Sequence, residues 1–257
     1  MQNFKLNEEF LLNNQDWTFP TFTAYGPGRF KEIGKFCKNF KINNALIVTD
    51  SGSVNLPFIS DLQNLLNDSK IKSDIYSNIS PNPRDDEIDS GCKKFREGNH
   101  DAIIAIGGGS AMDGGKAISL TVDSGVPLWD FEFEKEPPKL TMENPFPKII
   151  TIPTTAGTGA ETEVTAMVTH LEKGMKFCLW HPDARPCLAL VDPELTLKLP
   201  ANLTAWTGID AMIHAIEGYS VPMFHPLCDG SALESLNLIS KSLYAACLLY
   251  TSDAADD

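Results

Sequence analysis

The chain has 257 residues, 42% hydrophobic and 21% charged, enough to bury a core in one large domain or two smaller ones. A formal net charge of −13 argues against nucleic acid and anionic membrane surfaces as partners, because both repel an acidic protein. No apolar run approaches a membrane span, MQNFKLNEEF lacks a signal peptide's basic and apolar regions, and six scattered cysteines suit a reduced, cytoplasmic enzyme.

Residues 18–30 (TFPTFTAYGPGRF) read as an edge strand or hairpin that ends in a Gly-Pro-Gly turn. A helix is expected from Arg29 to Phe40, then a strand from Ala45 to Asp50. An acid at the carboxyl end of such a strand can accept hydrogen bonds from a ribose 2′-OH and repel a 2′-phosphate. Asp50 can equally cap the turn before the next helix. Leu56 to Asn67 reads as that helix, Ser73 to Ile79 as a strand, and Asp86 to Gly98 as a helix opened by Asp85, Asp86 and Glu87. Those acids stand at the positive end of the helix dipole.

The stretch DAIIAIGGGSAMDGGKAIS (residues 101–119) is the most informative. Ile103 to Ile106 form a continuous apolar run, as in a strand buried on both faces. Gly107, Gly108, Gly109 and Ser110 follow, and helical character begins near Met112. Glycines allow close backbone approach to an anion, and the first amides of a helix point at it, so this is a candidate phosphate cradle. A tight strand-to-helix turn explains the same glycines, and Met112 breaks the G-x-G-x-x-G pattern.

Residues 127–147 read as a long surface loop, and Lys148 to Ile152 as a strand. Thr154, Thr155 and Thr158 then lie in a run of small residues that suits either a cofactor-lining segment or a polar turn. Glu163 to His170 and Met175 to Trp180 alternate around Lys173-Gly174 as a hairpin would, and Cys187 to Val191 reads as a last strand. Alternating strands and helices call for a parallel sheet with crossover helices. After Leu199-Pro200 the strand signals stop, and Leu203 to Tyr219 and Leu227 to Ala246 are helical. Asp210 and His214 stand four apart on one face, as two ligands of one cation or as an ordinary helical pair.

Three motifs in this order, PNPRDDEIDSGCKKFREGNHDAIIAIGGGSAMDGGKAIS, PTTAGTGAETEV and GIDAMIHAIEGYS, together resemble the iron-dependent (group III) alcohol dehydrogenases. The resemblance runs from about Phe19 to Ala246. It implies an α/β fold: an N-terminal dinucleotide-binding parallel-sheet domain (residues 1–199), then an all-helical metal-binding domain (200–246, incomplete), with cofactor and metal in the cleft between. It further implies that Gly107, Gly108, Gly109, Ser110 and Asp113 form the pyrophosphate loop. Thr154, Thr155 and Thr158 would form a second cofactor segment. Lys176 would contact the nicotinamide-side ribose, Asp50 would favour NAD over NADP, and Asp210 and His214 would be two of four metal ligands.

The family's other two ligands are histidines further downstream, and His100, His170, His181 and His225 do not stand at their positions. Cys247 to Asp257 (CLLYTSDAADD) resembles the conceptual translation of a sequencing-library adapter and is expected to be a non-native tail. The expected function of the intact enzyme is hydride transfer between NAD(H) and a primary alcohol or aldehyde. Fe²⁺ by family, or Zn²⁺ by chemistry, would lower the alcohol's pKa, and the longer protein is expected to be a homo-oligomer. The alternatives are a reductase of a semialdehyde or maleylacetate-like substrate and, for this chain alone, a non-catalytic dinucleotide-binding module.

Overall fold

A computed structural model of the chain describes residues 21–140, 146–222 and 224–253. These fall into two compact units. One holds the described residues up to Thr155 together with Gly159–Lys198, and the other holds Ala156–Thr158 and the described residues from Leu199 onward.

The first unit is built on a six-stranded, wholly parallel sheet. Its strands are β1 (Thr23–Tyr25), β2 (Asn44–Asp50), β3 (Lys72–Ile79), β4 (Ala102–Gly107), β5 (Lys148–Pro153) and β8 (Leu188–Val191). Their spatial order is β1-β8-β5-β4-β2-β3. The helices α1 (Ile33–Asn39), α2 (Pro57–Asp68), α3 (Asp85–Glu97) and α4 (Gly109–Val122) cover the two faces. Every residue of β4 is buried, which explains its unbroken apolar run. Alternation sends Ile103 and Ala105 into one core with Ile88, Phe95, Met112 and Ile118. Ile104 and Ile106 enter the other core with Ile33, Ile59, Leu62 and Leu66. The helix after β2 and the helix after β4 therefore lie on opposite faces, and a crevice opens where the strand order reverses, between β2 and β4.

The expected hairpin is present as β6 (Thr165–His170) and β7 (Met175–Trp180), a separate antiparallel pair whose turn places Gly174 at φ +60. β1 is an edge strand paired in parallel with β8, and residues 18–20 of that reading lie outside the described residues.

Three expectations need correction. The helix expected from Arg29 begins as a 3₁₀ turn, Arg29–Glu32, and becomes α-helical only at Ile33. The helix after the glycine run begins at Gly109 rather than near Met112. Its first turn closes early because the amides of Ala111 and Met112 both reach the Gly108 carbonyl. The stretch from Pro127 is not a plain surface loop either. Leu128 and Phe131 turn inward on a 3₁₀ turn and join the core, and Trp129 stacks on His170 with ring centroids 4.5 Å apart. Within that stretch, residues 141–145 lie outside the described residues.

In the second unit, α5 (Ala201–Ser220) and α6 (Pro226–Asp253) touch closely where Gly208 meets Leu243. His225 opens α6, and its Nδ1 accepts a hydrogen bond from the Cys228 amide at 3.1 Å, a structural role. α6 continues to Asp253, into the stretch expected to be a non-native tail. None of the helices among the described residues is long and apolar enough to cross a membrane. The six cysteines are all unpaired.

α4 lies unusually close to the sheet. A Cβ on Gly115 would stand 2.7 Å from Cβ of Ala105, and one on Gly114 would stand 2.8 Å from the Ile79 side chain. Gly115→Ala gains about 1 kcal/mol of helix propensity but forces this contact apart at about 1–3 kcal/mol. The Ala105 Cβ is fixed to its strand and cannot step aside, so overpacking is expected to win. The urea midpoint should fall; a rise would show that the contact yields freely.

Candidate functional site

The crevice at the carboxyl ends of β2, β4 and β5 gathers most of the residues singled out from the sequence. Gly107 ends β4 at φ +143, a conformation that side chains rarely adopt. A Cβ there would also meet Cβ of Ala111 at 2.8 Å and Oδ2 of Asp50 at 3.0 Å. The turn thus needs glycine twice over, for its dihedral and for its neighbours. Gly108 caps α4 without any side chain reaching back to the helix amides. A Cβ on Gly108 would meet only Thr155, at 3.6 Å, so the space above it is open. An uncapped helix N-terminus with an open approach is a fitting seat for a diphosphate.

Asp50 fills the turn role that its position suggested and keeps one oxygen toward the crevice. Its Oδ1 accepts the amides of Gly52 and Ser53, each at 3.0 Å, and so caps the turn after β2. Its Oδ2 faces the Gly107 turn instead. The turn role and an acceptor role toward the crevice are compatible, because each uses a different oxygen.

Thr154 enters through its backbone. Its amide donates to the Gly107 carbonyl at 2.9 Å, which extends the β4–β5 pairing into the loop. Ser110 differs from a phosphate-binding serine, since its hydroxyl donates to the Pro81 carbonyl at 2.7 Å. Only the Ser110 main chain is then left for an anion. The loop that carries Pro81 is held by Glu87, whose Oε2 accepts from the Ser80 amide, the Ser80 hydroxyl and the Arg84 amide. Its next residue, Asn82, accepts a hydrogen bond from Lys176 on β7 at 3.2 Å through its side-chain oxygen. A chain of contacts therefore runs from α4 through the Ser80–Arg84 loop to the hairpin.

Asp113, on the first turns of α4, lies 3.5 Å from Lys116 Nζ. Burial pushes the Asp113 carboxyl upward, and the neighbouring Lys116 and Lys176 ammonium groups pull it back down. Burial likewise raises the carboxyl of Glu161 at the end of the loop after β5.

Sequence reading did not single out Lys116, Glu87 or Asn82 for the site. Lys116 had a signal, since it falls four residues after buried Met112 and four before buried Leu120, on an otherwise apolar stripe. Glu87 had the spacing of a capping-box acid, three residues after the helix N-cap. Nothing in the sequence marks Asn82.

The remaining candidates belong to the second unit. Thr158 is exposed, within the three-residue stretch Ala156–Thr158. Asp210 and His214 face each other one turn apart on α5, with Oδ1 and Nε2 3.6 Å apart; His214 is exposed and Asp210 half-buried. One carboxylate and one imidazole on one face suit two positions of a metal's shell. A catalytic Fe²⁺ or Zn²⁺ centre takes about three protein ligands plus an open position. No cluster of three or more candidate His, Cys, Asp or Glu ligands occurs among the described residues. The pair alone does not complete such a centre.

Comparison with known proteins agrees with this architecture. A search of solved structures finds a 1,3-propanediol oxidoreductase at a TM-score of 0.85 and 31% identity, covering 93% of this chain and 61% of that one. A sulfoacetaldehyde reductase from Bifidobacterium kashiwanohense, solved with NAD⁺, matches at a TM-score of 0.82 and 30% identity, covering 94% of this chain and 63% of that one. Among curated proteins, alcohol dehydrogenase 4 of Saccharomyces cerevisiae is 34% identical over 88% of this chain and 58% of its own length. The NAD-dependent methanol dehydrogenase of Bacillus methanolicus is 34% identical over 87% of this chain and 58% of its own. The chain thus spans just under three fifths of the length of these curated relatives. The family model for iron-containing alcohol dehydrogenase matches residues 20–193, and that for the Fe-containing alcohol dehydrogenase family, C-terminal, matches 204–255. The chain belongs to the iron-containing alcohol dehydrogenase family.

Proposed function

We propose that this chain belongs to an oxidoreductase that moves a hydride between NAD(H) and a primary alcohol or aldehyde. The observation that carries the reading is the β4–α4 junction: a glycine turn at the switch point, an uncapped helix N-terminus and a carboxylate across the crevice. The amides at Gly109 and Ser110 would hold the diphosphate, Asp50 Oδ2 would accept from the adenosine ribose, and Lys176 would orient the nicotinamide-side ribose. The hydride chemistry itself is the cofactor's, and the protein's share is to bind and orient it. Relatives with NAD in their names support this choice, although a 30% identical butanol dehydrogenase is named as NADPH-dependent. The similarity to the sulfoacetaldehyde reductase favours reduction of a polar aldehyde as a second reading. That reaction is the same hydride transfer run the other way.

Asp210 and His214 are proposed as two ligands of the family's iron. Among the described residues no cluster supplies a third ligand to the pair.

Gly108→Val should abolish NADH binding while circular dichroism and the melting curve stay close to wild type. Its Cβ has room beside Thr155, but its methyls fill the space above the helix end. Undiminished NADH affinity in this variant would remove the cradle.

Asp50→Asn keeps the acceptor that caps Gly52 and Ser53 but discards the charge. NADPH should gain on NADH by about 1–3 kcal/mol, the usual scale for relieving a like-charge contact. An unchanged ratio of dissociation constants would leave Asp50 as a turn residue alone.

Metal analysis gives the third test. With two ligands, the chain should bind added Fe²⁺ or Zn²⁺ only weakly, at a micromolar dissociation constant or above, and His214→Ala should weaken it further. Tight stoichiometric metal that survives His214→Ala would refute the pair.

A further inference from the structure

Lys116 is among the largest fully buried side chains of the described residues, with 1% of its surface exposed. Its Nζ donates to the carbonyl of Ala160 at 2.8 Å and lies 3.5 Å from Asp113 Oδ1. A buried charge is costly, and an ion pair in such a place is weak evidence for stability, so its retention asks for a purpose in fixing geometry. The surroundings supply one. Three consecutive carbonyls at the end of the loop after β5 are held by side chains from three places. Ala160 is held by Lys116 of α4, Glu161 by the Thr151 hydroxyl of β5 at 2.7 Å, and Thr162 by the Thr21 hydroxyl at 2.8 Å. The loop's other end is held by the Thr154 amide on Gly107.

We infer that Lys116 is a positioning residue for the cofactor, tying the loop of the second cofactor segment to the helix whose N-terminus receives the diphosphate. This rests on the dinucleotide reading above. The chain's own geometry explains why a lysine stands there. A four-carbon stem can cross from the buried face of α4 to the loop carbonyl, and the ammonium has donors for both Ala160 and Asp113. The Asp113 carboxyl also feels the Lys176 ammonium and the main chain of Met167, both on the hairpin. The pair thereby ties the glycine helix to the second loop and lies within electrostatic reach of the hairpin that carries Lys176. Each of the three segments supplies a proposed cofactor contact, and Lys116 touches none of the reacting atoms.

The test compares Asp113→Asn with the double variant Asp113→Asn/Lys116→Met. Lys116→Met alone strands a buried carboxylate and can fail to fold, whereas both variants of the comparison avoid an unpaired acid. The first keeps the ammonium on Ala160, and the second loses it. Two quantities are read on each: hydrogen exchange of the amides at residues 159–162 without ligand, and the NADH dissociation constant by titration. Relative to Asp113→Asn, the double variant should exchange about tenfold faster at the loop with β2 and β4 still protected. It should bind NADH about tenfold more weakly, the worth of one hydrogen bond from a charged donor. Equal exchange in the two variants overturns the tether, and faster exchange with equal NADH affinity overturns the positioning role. A wild-type chain that binds no NADH would instead defeat the dinucleotide reading, while the exchange comparison still decides the tether.

Discussion

The structure depends on how the chain leaves β4. A strand buried on both faces has to turn at its carboxyl end within a closely packed layer, and Gly107 does so at a dihedral that other residues rarely reach. Three consequences follow from that one residue. α4 begins at once, so its first amides open onto the switch-point crevice. The side chain of Asp50 fits against the turn, in space that a Cβ would take. The freed Gly107 carbonyl accepts the Thr154 amide, which sets where the loop after β5 departs. Strand, turn and helix meet the start of the neighbouring loop at one corner.

Glycine continues to shape the site along α4. Gly114 and Gly115 let the helix settle on β4 and against Ile79, closer than any side chain would allow. Helix propensity is given up there for packing. Close approach also removes water from the inner face of the helix, so the polar groups on it have to satisfy one another. Lys116 and Asp113 do this by pairing, and Lys116 also reaches the Ala160 carbonyl of the loop. The site is organised from behind by buried polar contacts, while its front stays open.

Much of the sheet was legible from the sequence, for reasons that can be named. β4 showed itself by an unbroken run of isoleucine and alanine, because a strand buried on both faces has no polar side. The β6–β7 hairpin showed itself by alternation around Lys173-Gly174. Helix boundaries were less legible: the propensity of Gly109 and Ser110 is poor, yet tertiary packing and early hydrogen bonds make them helical. The stretch 127–147 misled because its prolines and acids outnumber Leu128 and Phe131, the two side chains that fix its start in the core. In the site, the glycines and Asp50 stood out by position. The committed hydroxyl of Ser110 did not, since a hydrogen bond to a distant carbonyl leaves no trace in local sequence. Lys116 was visible as a charge on an apolar stripe, but its partner at Ala160 required the fold.

The helical unit is less self-sufficient. Trp206, Ile209, Ile213, Ile216 and Tyr219 on α5 stay exposed, and Asp210 and His214 share that helix with no third candidate ligand in a cluster among the described residues. The central claim therefore rests on the α/β unit, and amide chemical shifts during an NADH titration test it most directly. The account predicts that the shifts concentrate at residues 50–53, 107–112 and 154–155, the three strand ends around the crevice. Shifts confined to other parts of the sheet, or none at saturating NADH, would contradict it.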